Sequence, residues 1–215
     1  MPEKLTGPEL TEKEKPRVKV TVVGAGNMGR GIGQVLVRGG HSVTVVDRDP
    51  EEAGRLIEQL RGAARGGATV EAEAPGAGVS DEVVILAVWY PSSLEAAREL
   101  GGELEGKVVV DISNPVNQTF DGLAAGARVV KAFNTTFAGT LVEGEVAGQP
   151  LDVFIAGHDE GAKEIVAQLA RDGGLRAIDV GPLERARYLE GLGFLHMMVQ
   201  QPLGTGFASA AKVIS

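Results

Sequence analysis

From Val18 onward, apolar and polar positions alternate between two periods, one of strands and one of helices. The run Val18-Lys19-Val20-Thr21-Val22-Val23 is rich in β-branched residues and ends on glycine, the pattern of a buried strand. Ile32, Val35 and Leu36 then recur at helical spacing, predicting a helix that opens in a glycine-rich segment and stops at Gly39-Gly40. Ser42 to Val46 reads as a second strand. Pro50 opens a second helix carrying Leu56, Ile57 and Leu60 on one face. Strand, crossover helix, strand and helix form the repeat of a parallel sheet.

Further short strands are expected at Thr69-Val70-Glu71, Val83 to Val88, Lys107 to Asp111, Arg128 to Lys131, Leu151 to Ala156 and Leu175 to Val180. Helices are expected at Ser93 to Leu100 and Gly161 to Ala170, and the Gly-Ala-rich stretch from Arg61 to Gly78 follows neither period. The opening segment, residues 1–17, is rich in Pro, Glu and Lys and is expected to be a flexible tail. Residues 18–182 carry the strand-helix repeat. After Gly181-Pro182 the pattern changes. Leu183, Ala186, Leu189, Leu192, Leu195 and Val199 predict an amphipathic helix ending before Pro202. The tail from Leu203 to Ser215 is apolar and must pack against something. Residues 183–215 are therefore expected to form a small C-terminal extension. A homodimer built through it would hide both stripe and tail, and folding back onto the same chain is the alternative.

Composition narrows the chemistry. The 215 residues include no cysteine, which excludes disulfides, thiolate metal sites and a nucleophilic thiol, and fits a reducing cytoplasm. A formal net charge of −8 without a basic stripe argues against nucleic acid as a partner. No stretch approaches the length of a membrane span. Of the histidines, His41 and His158 are expected in exposed connectors, and His196 to be packed or solvated on the last helix. Their spacing suggests no metal site, and no carboxylate pair stands out as a catalytic one.

The glycine-rich segment is Gly24-Ala25-Gly26-Asn27-Met28-Gly29, a Gly-x-Gly-x-x-Gly placed between a strand and a helix, with Asp47 ending the next strand. A lone Gly-x-Gly-x-x-Gly is common; in this context it indicates a dinucleotide-binding Rossmann fold, doubly wound and mostly parallel. Gly24 allows the tight turn, Gly26 lets a pyrophosphate approach the backbone, and Gly29 lets helix pack on strand. Asp47 would accept from the ribose hydroxyls of NAD, whereas Arg48 would attract the 2′-phosphate of NADP unless it is simply a solvated arginine. Open parallel sheets bind ligands beyond the carboxyl ends of their strands. Those ends read Ala87-Val88-Trp89-Tyr90-Pro91, Asp111-Ile112-Ser113-Asn114-Pro115 and Ala132-Phe133-Asn134-Thr135-Thr136. Asn114 and Asn134 could bond a nicotinamide or its ribose, with Val88 and Trp89 packing beneath. Loop packing for Trp89 and Tyr90, and a plain turn at Asn114-Pro115, are the alternatives. Hydride transfer itself requires no protein nucleophile, so no catalytic side chain is assigned.

These segments, together with Val130-Lys131-Ala132-Phe133-Asn134-Thr135 and Gly181-Pro182-Leu183-Glu184 with Arg187 and Glu190, resemble the coenzyme F420-dependent NADP oxidoreductase family from Val18 to the C-terminus. The resemblance implies a Rossmann domain with a small C-terminal extension, a homodimer, NADP (or NAD) as one substrate and a deazaflavin or flavin as the other. The chain departs from the family's pattern by Asp47 where members typically carry Ser or Thr. It departs again by Asn134-Thr135-Thr136-Phe137 where archaeal members carry His-Thr-Ile-Pro. Phe133-Asn134-Thr135 also resembles the cytosolic domain of membrane ferric reductases. Flavin-mediated ferric reduction and a non-catalytic dinucleotide sensor are thus the alternative functions.

Overall fold

A computed structural model describes residues 17–115 and 126–214 of the chain. All but Arg17 of the expected N-terminal tail lies outside them. Strands β1 (Lys19–Val23), β2 (Ser42–Val46), β3 (Val70–Glu73), β4 (Val83–Leu86), β5 (Val108–Asp111) and β6 (Arg128–Lys131) lie in the order β3-β2-β1-β4-β5-β6, all parallel. This is the strand order of a Rossmann sheet, with its topological switch between β1 and β4. Two further strands extend the β6 edge: β9 (Asp152–Gly157) pairs antiparallel with β6, and β10 (Arg176–Gly181) runs parallel to β9. A separate hairpin joins β7 (Glu145–Val146) to β8 (Gln149–Pro150).

The helices are α1 (Asn27–Arg38), α2 (Pro50–Ala63), α3 (Tyr90–Leu100), α4 (Ala138–Glu143), α5 (Glu160–Asp172), α6 (Ala186–Met198) and α7 (Gln200–Leu203). Every residue of β4 and β5 is buried, as expected of parallel strands covered on both faces. Val83 and Ile85 point into the core shared with Ile32, Val35 and Leu36 of α1, while Val84 and Leu86 point into the one holding Ala97 and Leu104. A fully buried Leu or Ile side chain in these layers contributes about 1.5–3 kcal/mol. Asp49 caps α2 by accepting from the Glu51 and Glu52 amides, with Pro50 at the helix start.

Several sequence expectations shift. Helix α3 begins at Tyr90 instead of Ser93, because Pro91 in its first turn starts the helix. Strand β3 extends to Glu73 in the stretch that followed neither period. The short α4 was not anticipated; it lies on α1 where Gly31 leaves room, since a Cβ there would stand 2.8 Å from the Ala138 carbonyl oxygen. His41 is not in an exposed connector. It is buried, its Nδ1 accepts from the Val18 amide, and its Nε2 lies 3.3 Å from Asp172 on α5.

The C-terminal stripe is also different from the one expected. The inward face of α6 and α7 is Ala186, Leu189, Gly193, His196 and Gln200, whereas Leu195 is 57 % exposed. Helical phase explains this. The buried positions follow a slightly longer repeat, and polar residues take over the inner face from His196 because backbone carbonyls and hydroxyls meet it there. The tail after Gly204 folds back on the same chain. Ser209 bonds His196 and Gln200, while Lys212 and the Val213 amide bond Asp152.

Candidate functional site

The glycine loop sits where β1 ends and α1 begins, directly beside the end of β4. Gly24 has φ +110°, and a Cβ on it would lie 2.6 Å from the Val88 side chain and 2.7 Å from the Ala87 carbonyl oxygen. Only glycine fits there. A Cβ on Gly29 would lie 1.9 Å from the Gly24 carbonyl oxygen, so this glycine lets the loop close against its own helix. Gly26 is different: it is exposed, and a Cβ there would meet nothing within 4 Å. Its openness belongs to the outer side of the loop. No side chain caps α1 and no acidic residue lies in its first turn, so the amides at Asn27 and Met28 head a helix suited to an anion.

Asp47 is placed to serve the loop. Its Oδ2 accepts from the Ala25 amide at 2.6 Å and its Oδ1 from the Asp49 amide at 2.8 Å. Arg48 is exposed and reaches Glu95 (3.4 Å) and Glu99 (3.2 Å) on α3. Trp89 caps the start of α3 and is 87 % exposed, so the loop-packing alternative for it does not hold.

Beyond β5 and β6 the chain brings Asn114 and Asn134 together. Asn134 Nδ2 donates to Asn114 Oδ1 at 2.8 Å, and Asn114 Nδ2 donates to the Asn134 carbonyl at 3.0 Å. Asn134 Oδ1 is buried and accepts no hydrogen bond. Phe133, fully buried with φ +61°, makes the turn into this segment, held by the Thr136 amide and hydroxyl donating to its carbonyl. Gly193 of α6 packs over the pair, its Cβ position only 2.7 Å from the Asn134 carbonyl oxygen. Pro115 is buried next to Asn114.

One cluster here escaped the sequence reading. Lys131, 1 % exposed at the end of β6, donates to Asp111 Oδ2 (2.6 Å) at the end of β5 and to the Ser113 carbonyl (2.5 Å), and lies 2.8 Å from Glu190 Oε1 on α6. Ser113 Oγ donates to Asp111 Oδ1 at 2.8 Å. Burial pushes the Asp111 carboxyl above its ordinary range, against the opposing pull of Lys131 and Ser113. Burial likewise raises Glu190, with the Asp111 charge adding to the shift and Lys131 opposing it. A carboxylate pair therefore does stand out, sharing one lysine. The signal was present in the sequence: two successive apolar strands, VVVD and RVVK, each end on a charge, and parallel register makes Asp111 and Lys131 partners. Next along α6, His196 Nδ1 lies 3.1 Å from the Thr135 carbonyl and Nε2 2.8 Å from Ser209 Oγ, with its ring 4.3 Å from that of Phe137. Among the described residues no cluster of three potential metal ligands occurs.

The chain is similar to known proteins over most of its length. Residues 19–115 match the family model described as NADP oxidoreductase, coenzyme F420-dependent. An F420-dependent NADP reductase of Methanothermobacter thermautotrophicus is 29 % identical over 80 % of this chain and 85 % of its own. An Arthrobacter sp. FB24 protein of known structure, described as an F420-dependent NADP-reductase, is 29 % identical. It superposes with a TM-score of 0.76 over 92 % of this chain and all of its own. The chain is similar to the coenzyme F420-dependent NADP oxidoreductases. It is thereby placed among the NAD(P)-dependent oxidoreductases. The rat metalloreductase STEAP3 is 31 % identical over 85 % of this chain, which spans only 38 % of that protein's length. Among the described residues no helix is long and apolar enough to cross a membrane.

Proposed function

We propose that this protein transfers a hydride between NADP(H) and a deazaflavin or flavin acceptor. The observation that carries the reading is the crevice at the switch between β1 and β4: an uncapped helix start, three glycines in distinct steric roles, and Asp47 bonded to the loop. The diphosphate of the dinucleotide would lie on the Gly26, Asn27 and Met28 amides, with the macrodipole of α1 behind it. Asp47 holds the loop through the Ala25 amide and would accept from the ribose hydroxyls, while Arg48 would take the 2′-phosphate, exchanging Glu95 and Glu99 for it. Ala87 and Val88 would flank the nicotinamide, Trp89 would cover it from the rim, and Pro115 would brace Asn114. The half-buried Asn114, paired with Asn134, would face the carboxamide of the nicotinamide.

What the dinucleotide supplies is the hydride. The protein's part is to bind, orient and shield. Coenzyme F420 is favoured as acceptor by the family, and a homodimer by the exposed Tyr188, Leu195, Met198 and Leu203 on and beside α6. Residues 183–215 act in this reading as a dimerising and acceptor-site extension. A reducing cytoplasm suits a chain without cysteine. The test is to mix protein, NADPH and either a deazaflavin or FMN and follow nicotinamide absorbance. Oxidation with at least one acceptor is expected, and binding without oxidation under both conditions would favour a sensor. Flavin-mediated ferric reduction is a second reading, favoured by the 31 % identity to STEAP3. It predicts that ferric chelate is reduced only when flavin is added.

A further inference from the structure

The proposed hydride transfer, on which this inference rests, has a second requirement. Two-electron reduction of a flavin or deazaflavin ring adds a hydride and also one proton at a ring nitrogen. The one carboxyl described at the glycine crevice, Asp47, has both oxygens engaged by the Ala25 and Asp49 amides. The far side of the same strand ends offers an acid. Helix α6 lies across them with Glu190, Gly193 and His196 spaced at three-residue intervals, which puts them on one face. Gly193 covers the Asn114–Asn134 pair and His196 meets the Thr135 carbonyl, so Glu190 stands one turn from the asparagine pair.

We propose that Glu190 is the proton donor and acceptor of this reaction, with Lys131 and Asp111 holding it in place. The assignment falls on Glu190 for three geometric reasons. Its side chain is 14 % exposed, whereas Asp111 is fully enclosed and cannot meet a substrate. Asp111 is already engaged by Lys131 and by Ser113 Oγ and N, which leaves Glu190 the member with the fewest bonds. The charged groups facing Glu190 are Lys131 from β6 and Asp111 from β5. On its own helix Arg187 and Tyr188 are exposed and stack on each other. One lysine stands between two carboxyls, and burial, with the Asp111 charge adding to it, raises the Glu190 carboxyl above its ordinary range against the pull of Lys131.

In the reducing direction, the C–H bond of the dihydronicotinamide breaks and its hydrogen leaves with the electron pair to form a new bond on the acceptor ring. The dinucleotide is oxidised and the acceptor reduced. The Glu190 O–H bond breaks in the same step or just after it, and its proton forms an N–H bond on the acceptor. Glu190 is left as a carboxylate against the Lys131 ammonium 2.8 Å away, and regains a proton from solvent through its exposed edge. In the reverse direction Glu190 accepts the proton.

The experiment compares wild type, Glu190→Gln and Glu190→Asp with NADPH and either 5-deazariboflavin or FMN, across pH and in heavy water. Glu190→Gln should lower kcat roughly 100-fold. It should also abolish the fall of kcat at alkaline pH and the solvent isotope effect, with NADPH affinity within twofold of wild type. Glu190→Asp should restore part of the rate and the alkaline limb. Carbon-13 NMR of the carboxyls, assigned with Glu190→Gln, should show Glu190 titrating above the ordinary glutamate range without any turnover. An active wild type whose Glu190→Gln variant keeps the same kcat, pH profile and isotope effect would overturn the proton role alone. Glu190 titrating in the ordinary range would do the same. A wild type that binds NADPH but oxidises it with neither acceptor would overturn the hydride-transfer reading and this role with it. Should Glu190→Gln fail to fold, Glu190→Asp carries the test, and unchanged kinetics in that variant would overturn the role.

Discussion

Two glycines three residues apart in the same motif, Gly26 and Gly29, should fail in opposite ways when given a side chain. Gly26 has an extended backbone (φ −69°, ψ −169°) that any residue adopts, and a Cβ there meets nothing within 4 Å. Gly26→Val should therefore fold. Its cost is the poorer helix cap, about 1 kcal/mol, which in a chain of this size lowers Tm by roughly 2–4 °C. The added branches would stand where the diphosphate approaches. Loss of one charge-assisted bond costs about 1.5–3 kcal/mol, so NADPH affinity should fall at least tenfold. Gly29→Ala instead drives a Cβ to 1.9 Å from the Gly24 carbonyl oxygen. A backbone atom cannot step aside as a flexible side chain can. The expected cost is about 3 kcal/mol, with Tm lower by roughly 6–12 °C. Thermal melts by circular dichroism, paired with titrations of NADPH fluorescence, separate the two effects. Unchanged NADPH affinity in a folded Gly26→Val would refute the placement of the diphosphate. A Gly29→Ala as stable as wild type would refute the steric reading of the loop.

Arg48→Ala should weaken NADPH about tenfold and leave NADH nearly unchanged, whereas Asp47→Ser should weaken NADH more; equal effects on both nucleotides, measured by the same titrations, would show that neither residue reads the 2′ position. Asp152 is pushed up by burial, but the bonds from Arg176, the Val213 amide and Lys212 outweigh this and hold it at about 2, below its ordinary 3.8. Its contribution is therefore fully present above pH 4 and lost as pH falls through 2. Allowing for solvent around Arg176, it is on the order of 1 kcal/mol, and acid melts of Asp152→Asn should lose that pH dependence. Light scattering at micromolar concentration should give a dimer mass, and Leu195→Glu together with Met198→Glu should give a monomer that still binds NADPH; a monomeric wild type contradicts the dimer.

Local patterns made the sheet legible. The β-branched runs at Val20 to Val23, Val43 to Val46 and Val83 to Leu86 could only be buried strands once glycine turns and helical stripes separated them, and the crossover repeat implied a mostly parallel sheet. The glycine loop was legible because its pattern follows a strand and opens a helix; Gly24 and Gly29 answer close contacts, whereas nothing in the chain crowds Gly26. Long-range placement was not. His41 looked like a connector because nothing nearby in sequence announces Asp172 on α5. Leu195 looked buried because apolar spacing says where a stripe lies but not which side of α6 the sheet lies on, and polar His196 and Gln200 won that side through the carbonyls and hydroxyls waiting there. Lys131 and Glu190 are 59 residues apart in sequence, and only the return of α6 over the strand ends brings them to 2.8 Å.

The most direct test of hydride transfer uses NADPH carrying deuterium at the transferred position of the nicotinamide ring. The protein is incubated with it and a deazaflavin, whose reduced carbon does not exchange with water, and the reduced product is weighed by mass spectrometry. Direct transfer in the crevice predicts one deuterium in each reduced deazaflavin with wild type and almost none formed with Gly26→Val. A reduced product without deuterium, or no reduced product with wild type, would contradict the account.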